Sequence, residues 1–277
     1  MHALLRASVL VPRISACLVV VVLLLVGCGG GSSGGDASSG GGGSSDGGSG
    51  PPPSGPADDP GGAGATGSSA ADCHNPSLYQ TGTKWEEQWT TSGTGTVQRR
   101  SVVDGAAIFP PTNQSSIKII RNTTDAVGNT GVAEEYVNVV AGPHILQYGV
   151  VDFTFGVSVT AIHDPFDFYR FDLLPGESYL HRWKRTGGFM LEEFERTTTY
   201  VGRETVSVPA GTFETCRFDS IVEYVFQIPP GALNRVILTS KDWIGVANGL
   251  GIKAEDLTGT VTVLDRAAIN GVIVSGR

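Results

Sequence analysis

The chain has 277 residues, with 27 acidic against 19 basic side chains and a formal net charge of −8. Its longest basic run is Arg99-Arg100. That makes it a poor match for nucleic acid, whose phosphates need clustered Lys and Arg, and for electrostatic adhesion to anionic lipid, so membrane attachment has to be covalent.

In chain order, His2, Arg6 and Arg13 form a basic start, and Ala16–Val26 follows as an uncharged apolar run. Its length suits an export signal and falls short of the roughly 20 residues a spanning helix needs. The run ends in Leu25-Val26-Gly27-Cys28. An aliphatic residue three before a cysteine and a small one directly before it resemble the lipobox of bacterial lipoproteins. The resemblance implies cleavage after Gly27 and lipid on the Cys28 thiol. Gly29 stands where lipoproteins kept in the inner membrane of enteric bacteria usually carry Asp. By the same resemblance the expected location is the outer membrane, with the folded part in the periplasm or at the cell surface. Acyl chains contribute about 0.8 kcal/mol per buried methylene, enough together for stable anchoring.

From Gly29 to Ala71 the composition collapses to Gly, Ser, Pro, Ala, Asp and Thr. Such a segment has no core to bury and reads as a disordered tether, with a root-mean-square span of roughly 35–40 Å. The expected organisation is a signal peptide at 1–27, lipidated cysteine and tether at 28–72, and one folded domain at 73–277.

That domain reads as all-β. Val151, Phe153, Phe155, Val157 and Val159 alternate with polar residues as in a half-buried strand, and Val222, Tyr224, Phe226 and Ile228 do the same. Shorter strand signals recur throughout, separated by turn sequences such as Ala141-Gly142-Pro143, Pro175-Gly176 and Pro209-Ala210-Gly211. Only Asp265–Ile269 has spacing that fits a helical turn. The expected architecture is a single, mostly antiparallel, strongly curved sheet, as a half-barrel or sandwich.

The segment Gly202-Arg203-Glu204-Thr205-Val206-Ser207-Val208-Pro209-Ala210-Gly211-Thr212-Phe213 resembles the G-x-E-x-V-x-V-P-A-G-T-F motif of a group of uncharacterised exported bacterial proteins, many of them lipoproteins. Pro175-Gly176-Glu177 with Trp183, then Trp243 and Gly249-Leu250-Gly251-Ile252-Lys253, stand where that group has matching features. The resemblance runs from about Phe168 to Val263. It implies a curved all-β sheet similar to the half-barrels of periplasmic lipoprotein carriers, and no assigned activity. The residues themselves describe a hairpin: two inward valines, a Pro-Ala-Gly turn and a returning phenylalanine.

Of the four cysteines, Cys17 leaves with the leader and Cys28 takes lipid. Cys73 and Cys216 remain, either as a disulfide in an oxidising compartment or as one exposed and one buried thiol. No catalytic or phosphate-binding motif and no zinc spacing is present, so no catalytic residue, metal or cofactor is expected. The strongest polar cluster is His163-Asp164 with Asp167, which as part of a metal-assisted hydrolase would need further ligands from elsewhere. Glu134-Glu135 and Glu192-Glu193 place neighbours on opposite strand faces and read as solvated. Phe153, Phe155, Phe168, Tyr169, Phe171 and Trp183 gather where a curved sheet must be filled, by its own side chains or by an apolar ligand. The expected function is a membrane-anchored, non-enzymatic binding or structural module, meeting an apolar ligand or an envelope protein on that face. A secreted hydrolase using His163, Asp164 and Asp167, or a surface adhesin, are the alternatives.

Overall fold

The computed structural model describes residues 67–276, apart from 155–156, 188–190 and 228–232. Cys28, the leader and nearly all of the tether therefore lie outside the described residues. Two short 3-10 turns, Ala70–Cys73 and Pro76–Tyr79, come first. Thirteen strands follow among the described residues: β1 (Lys84–Thr91), β2 (Gly95–Phe109), β3 (Gln114–Thr124), β4 (Thr130–Val140), β5 (His144–Thr154), β6 (Val157–Arg170), β7 (Ser178–Thr186), β8 (Leu191–Val208), β9 (Gly211–Gln227), β10 (Leu233–Gly245), β11 (Gly251–Asp256), β12 (Val261–Ile269) and β13 (Val272–Val274).

Each strand pairs antiparallel with the next, as expected of period-2 segments joined by tight turns. The sheet curls past a half-barrel. β1 pairs with β12 from Trp85↔Ile269 to Thr91↔Thr262, so the barrel closes, and β13 lies outside that circuit along β12. Closure removes the edges an open sheet would expose. In an up-and-down barrel alternate connections lie at opposite ends, so the β2–β3, β4–β5, β6–β7, β8–β9 and β10–β11 connections share one end.

Two expectations need correction. Residues 151–159 are not one strand: Asp152 pairs with Val159 and Phe153 with Ser158, which makes the segment a hairpin. Alternation alone cannot reveal that a chain reverses in mid-pattern. Asp265–Ile269 is not helical but the end of β12, because β1 lies beside it and takes its backbone hydrogen bonds.

The barrel wall has a wet outside. Arg182–Glu195 (2.6 Å), Lys184–Glu193 (2.7 Å) and Arg100–Glu86 (2.7 Å) are exposed pairs on outward-facing positions. A membrane barrel carries an apolar band there, where Arg or Lys costs about 2–4 kcal/mol at mid-bilayer. No helix among the described residues is long and apolar enough to cross a membrane.

The inside is filled. Trp85, Val103, Ile119, Val137, Tyr169, Tyr200, Phe218 and Leu264 are buried in one cluster with Ala70, Cys73 and Leu78 from the 3-10 turns. The chain just ahead of β1 thus plugs one end of the barrel. Packing reaches back past Cys73: Ala70 is fully buried and its N–H donates to Leu173 O at 2.9 Å. Cys73 and Cys216 form a disulfide, with Cα atoms 6.2 Å apart and a sequence separation of 143. Both are buried, so the bridge ties the plug to the inner wall at β9.

The Pro209-Ala210-Gly211 turn joins β8 to β9, with Val206 opposite Phe213. Gly211 has φ +130°, and a Cβ there would sit 2.7 Å from the Gly276 backbone, so both conformation and space demand glycine. The other motif residues meet on the outer wall. Trp243 donates to Glu204 and lies beneath the Lys253 ammonium, 4.3 Å from its ring centre, and the Arg217 guanidinium, at 5.5 Å. These contacts pack strands β8 to β11 and account for the motif as architecture.

Candidate functional site

The inward rows hold charges as well as apolar groups. Asp167 on β6 meets Arg196 on β8 at 2.8 Å, Arg121 on β3 meets Glu135 on β4 at 2.8 Å, and Glu192 on β8 meets Arg185 on β7. Arg99 and Glu87 face each other at 3.8 Å with both side chains almost fully buried. The solvated reading of the Glu pairs is therefore corrected. Glu134 faces out beside Lys118, whereas Glu135 is buried against Arg121; Glu192 is likewise buried, accepting also from Tyr224 at 2.6 Å. Neighbours on a strand do face opposite ways, but in a closed barrel one of the two faces is dry.

The Arg196 pair mends a seam. β6 and β7 share only Ile162–Asp164 with Lys184–Thr186 and then part, leaving β6 carbonyls without a ladder. Side chains supply the missing donors. Arg196 donates to Phe168 O at 2.6 Å, Tyr179 to Phe168 O at 3.1 Å, and His181 Nε2 to Phe166 O at 2.6 Å. Burial works against the Arg196 charge, but Asp167 and the surrounding tyrosines outweigh it and hold the guanidinium above its ordinary pKa. Burial likewise pushes the Tyr169 hydroxyl, which donates to Asp167, well above its usual range.

This arrangement does not gather His163, Asp164 and Asp167 as a metal site. Asp167 is committed to Arg196, to Tyr169 and to the Phe168 N–H. His163 is buried, hydrogen-bonded to Gln147 O at 3.2 Å, and held below its ordinary pKa by burial, with Asp167 opposing. Asp164 is exposed and pairs with Lys184 in the ladder. Among the described residues no three His, Cys, Asp or Glu side chains gather as a metal site.

The six aromatics expected to share one concave face do not. Phe153 is opposite Val132, on the outer face, and is 42% exposed. Phe155 lies outside the described residues. Phe168 sits in the seam, edge-on to His144, Tyr179 and His181. Trp183 is buried in an inner-face stack, 4.8 Å from Phe194, which in turn meets Tyr224 at 4.9 Å. Tyr169 and Phe171 line a cavity. The bulges and hairpin reversals of β5 and β6 redistribute residues that sequence spacing had put on one side.

That cavity, of about 60 Å³, lies between the plug and the wall. His74, Leu78 and Tyr79 line it from the plug; Trp85, Ile119, Val137, Ile145, Tyr169 and Phe171 form apolar walls; Arg121, Glu135 and Gln147 supply the polar part. The His74 ring packs 5.5 Å from Phe171 and 6.3 Å from Tyr79. Sequence reading missed Arg121, Glu135 and Gln147 because charge on an alternating strand reads as outward.

A second cavity of about 30 Å³, sharing Tyr169, Phe171 and Ile244 with the first, is lined also by Thr198, Ser220 and Asp242. Asp242 points inward from β10, where burial raises its pKa from 3.8 to about 6 against the Ser240 hydrogen bond. The folded state thus holds an extra proton between about pH 4 and 6. The stability this contributes is full below the unfolded pKa and lost as pH rises through 6. Asp242→Asn is expected to raise stability by about 1–2 kcal/mol at pH 8 and leave it nearly unchanged near pH 4, read from urea midpoints at both pH values.

No protein-family model matches this chain, and no curated protein matches it. Among solved structures it is similar to a candidate lipoprotein from Parabacteroides distasonis, at 14% identity over 69% of this chain and 96% of that one, with a TM-score of 0.45. It is also similar to a candidate exported protein with a YmcC-like fold from Bacteroides fragilis, at 17% identity over 68% of this chain and 96% of that one, with a TM-score of 0.37.

Proposed function

We propose that this chain is an exported lipoprotein, held at the outer membrane by lipid on Cys28, whose barrel is a non-enzymatic binding module of the envelope. The observation that carries the reading is the plugged barrel. A disulfide fastens the plug over a cavity with apolar walls and a few buried polar groups, which is how small-molecule sites are built. Disulfides persist in oxidising compartments, which supports export. The Leu25-Val26-Gly27-Cys28 signal and the Gly/Ser tether supply the anchor and the leash.

The test is fractionation. The native chain is expected in the membrane pellet with acyl-modified Cys28 by mass spectrometry, and Cys28→Ala in the soluble envelope fraction. A Cys28→Ala chain that stays in the membrane pellet would overturn the anchor.

A further inference from the structure

The interior of the proposed binding module holds a carboxylate that no arginine matches. Glu87, Glu135, Asp167 and Glu192 point inward and each faces an arginine. Asp242 also points inward, from β10, and accepts from the Ser240 hydroxyl at 3.0 Å, with no Lys or Arg among the described residues in an ion pair with it. It lines the second cavity, of about 30 Å³, and keeps part of its surface accessible. Four aromatic rings line the same space: Tyr169, Phe171, Tyr179 from β7 and Phe218 from β9. The β9–β10 register sets Phe218 opposite Asp242 and Ser220 opposite Ser240. Ser220 and Thr198, whose hydroxyls lie 3.1 Å apart, complete the lining on the same face. An ionised carboxylate in such a place is costly until a cation or further donors meet it.

We propose that this second cavity binds a small primary ammonium group, ion-paired to Asp242 and enclosed by Tyr169, Phe171, Tyr179 and Phe218. Aromatic faces attract a cation, most strongly where water is excluded, and the Asp242 carboxylate supplies the opposite charge. An ammonium has three N–H donors, and the Ser220 and Thr198 hydroxyl oxygens stand as acceptors beside the carboxylate. Size narrows the class. At about 10–15 Å³ for each water-sized atom, 30 Å³ takes about two or three such atoms, which fits methylammonium or the end of a longer amine and not a quaternary ammonium. The other charges nearby are already matched: Arg170 by Asp172, Arg196 by Asp167 and Asp219 by Arg217. The Tyr169 hydroxyl donates to Asp167 and the Tyr179 hydroxyl to Phe168 O. Arg170 and Tyr179 stand on the two strands that part at the β6–β7 seam, so the cavity lies behind that seam. This assignment rests on the binding-module reading, though not on the anchor.

The experiment titrates the exported full chain carrying Cys28→Ala, which needs no detergent, with methylammonium chloride at constant ionic strength and follows the Ile244 methyl resonance by NMR. A saturable shift is expected at pH 8, with sodium and tetramethylammonium at least about tenfold weaker. At pH 5 the affinity is expected to fall about tenfold, because burial holds the Asp242 pKa at about 6 and most of the carboxyl is then protonated. Asp242→Asn, which keeps the shape and removes the charge, is expected to abolish the shift while keeping a dispersed, folded spectrum. If Asp242→Asn does not fold, the cation series and the pH comparison on the unsubstituted cavity decide. No saturable shift at pH 8, an equal response to sodium or tetramethylammonium, equal affinity at pH 5, or a shift that survives Asp242→Asn would each overturn the site. Those results leave untouched the cavity under the plug, which carries the module reading, and the fractionation of the native chain, so the failures are told apart.

Discussion

Replacing Cys73 and Cys216 together by serine is expected to lower the stability of the folded barrel by about 4–5 kcal/mol. The bridge closes a loop of 143 residues, and the entropy it removes from the unfolded chain grows with the logarithm of that length. The disulfide also holds the plug, whose other attachments are lighter: Tyr200 Oη to Ser68 O at 3.1 Å, Asn75 Nδ2 to Asn248 O at 3.1 Å, and the Ala247 N–H to Asp72 O at 2.8 Å. Two measurements separate these effects. Urea unfolding gives the global loss. Hydrogen exchange at residues 70–80 reports whether the plug opens first, and it is expected to lose protection before the strands do. An unchanged urea midpoint after reduction would show that the plug closes without its bridge.

Asp167→Ala is expected to destabilise by about 3–5 kcal/mol, because it leaves the Arg196 guanidinium buried and unpaired. The loss is local in origin and wide in effect. Arg196 donates to the Phe168 carbonyl across the β6–β7 seam and lies 4.4 Å from the Tyr169 ring centre and 5.0 Å from that of Trp183. Asp167→Leu with Arg196→Met, which removes both charges and keeps volume, is expected to recover most of the stability. The comparison of single and double variants by urea unfolding isolates the charge effect from packing. If the single variant matches the wild type, the pair does not hold the seam.

Much of the barrel was legible because its strands are local. Val222, Tyr224 and Phe226 alternate in sequence and are buried along β9, and Pro209-Ala210-Gly211 reads directly as the turn it makes. The seam was not legible. Phe166, Asp167 and Phe168 look like an aromatic loop, yet Asp167 points inward to an arginine 29 residues away. The candidate site was visible only through Tyr169 and Phe171; Arg121, Glu135 and Gln147 look like solvent-facing residues until the sheet closes over them.

By itself the sequence determined the strand content, the turns and the net acidity. Those properties depend on residues within a few positions of one another, where steric preference and period decide the outcome. Only the tertiary structure decided that β12 returns to β1, that the residues before β1 plug the barrel, and that four Arg–carboxylate pairs lie inside it. Pairings such as Trp85 with Ile269 join residues far apart in the chain, and strand alternation names two faces without saying which one closure will leave dry.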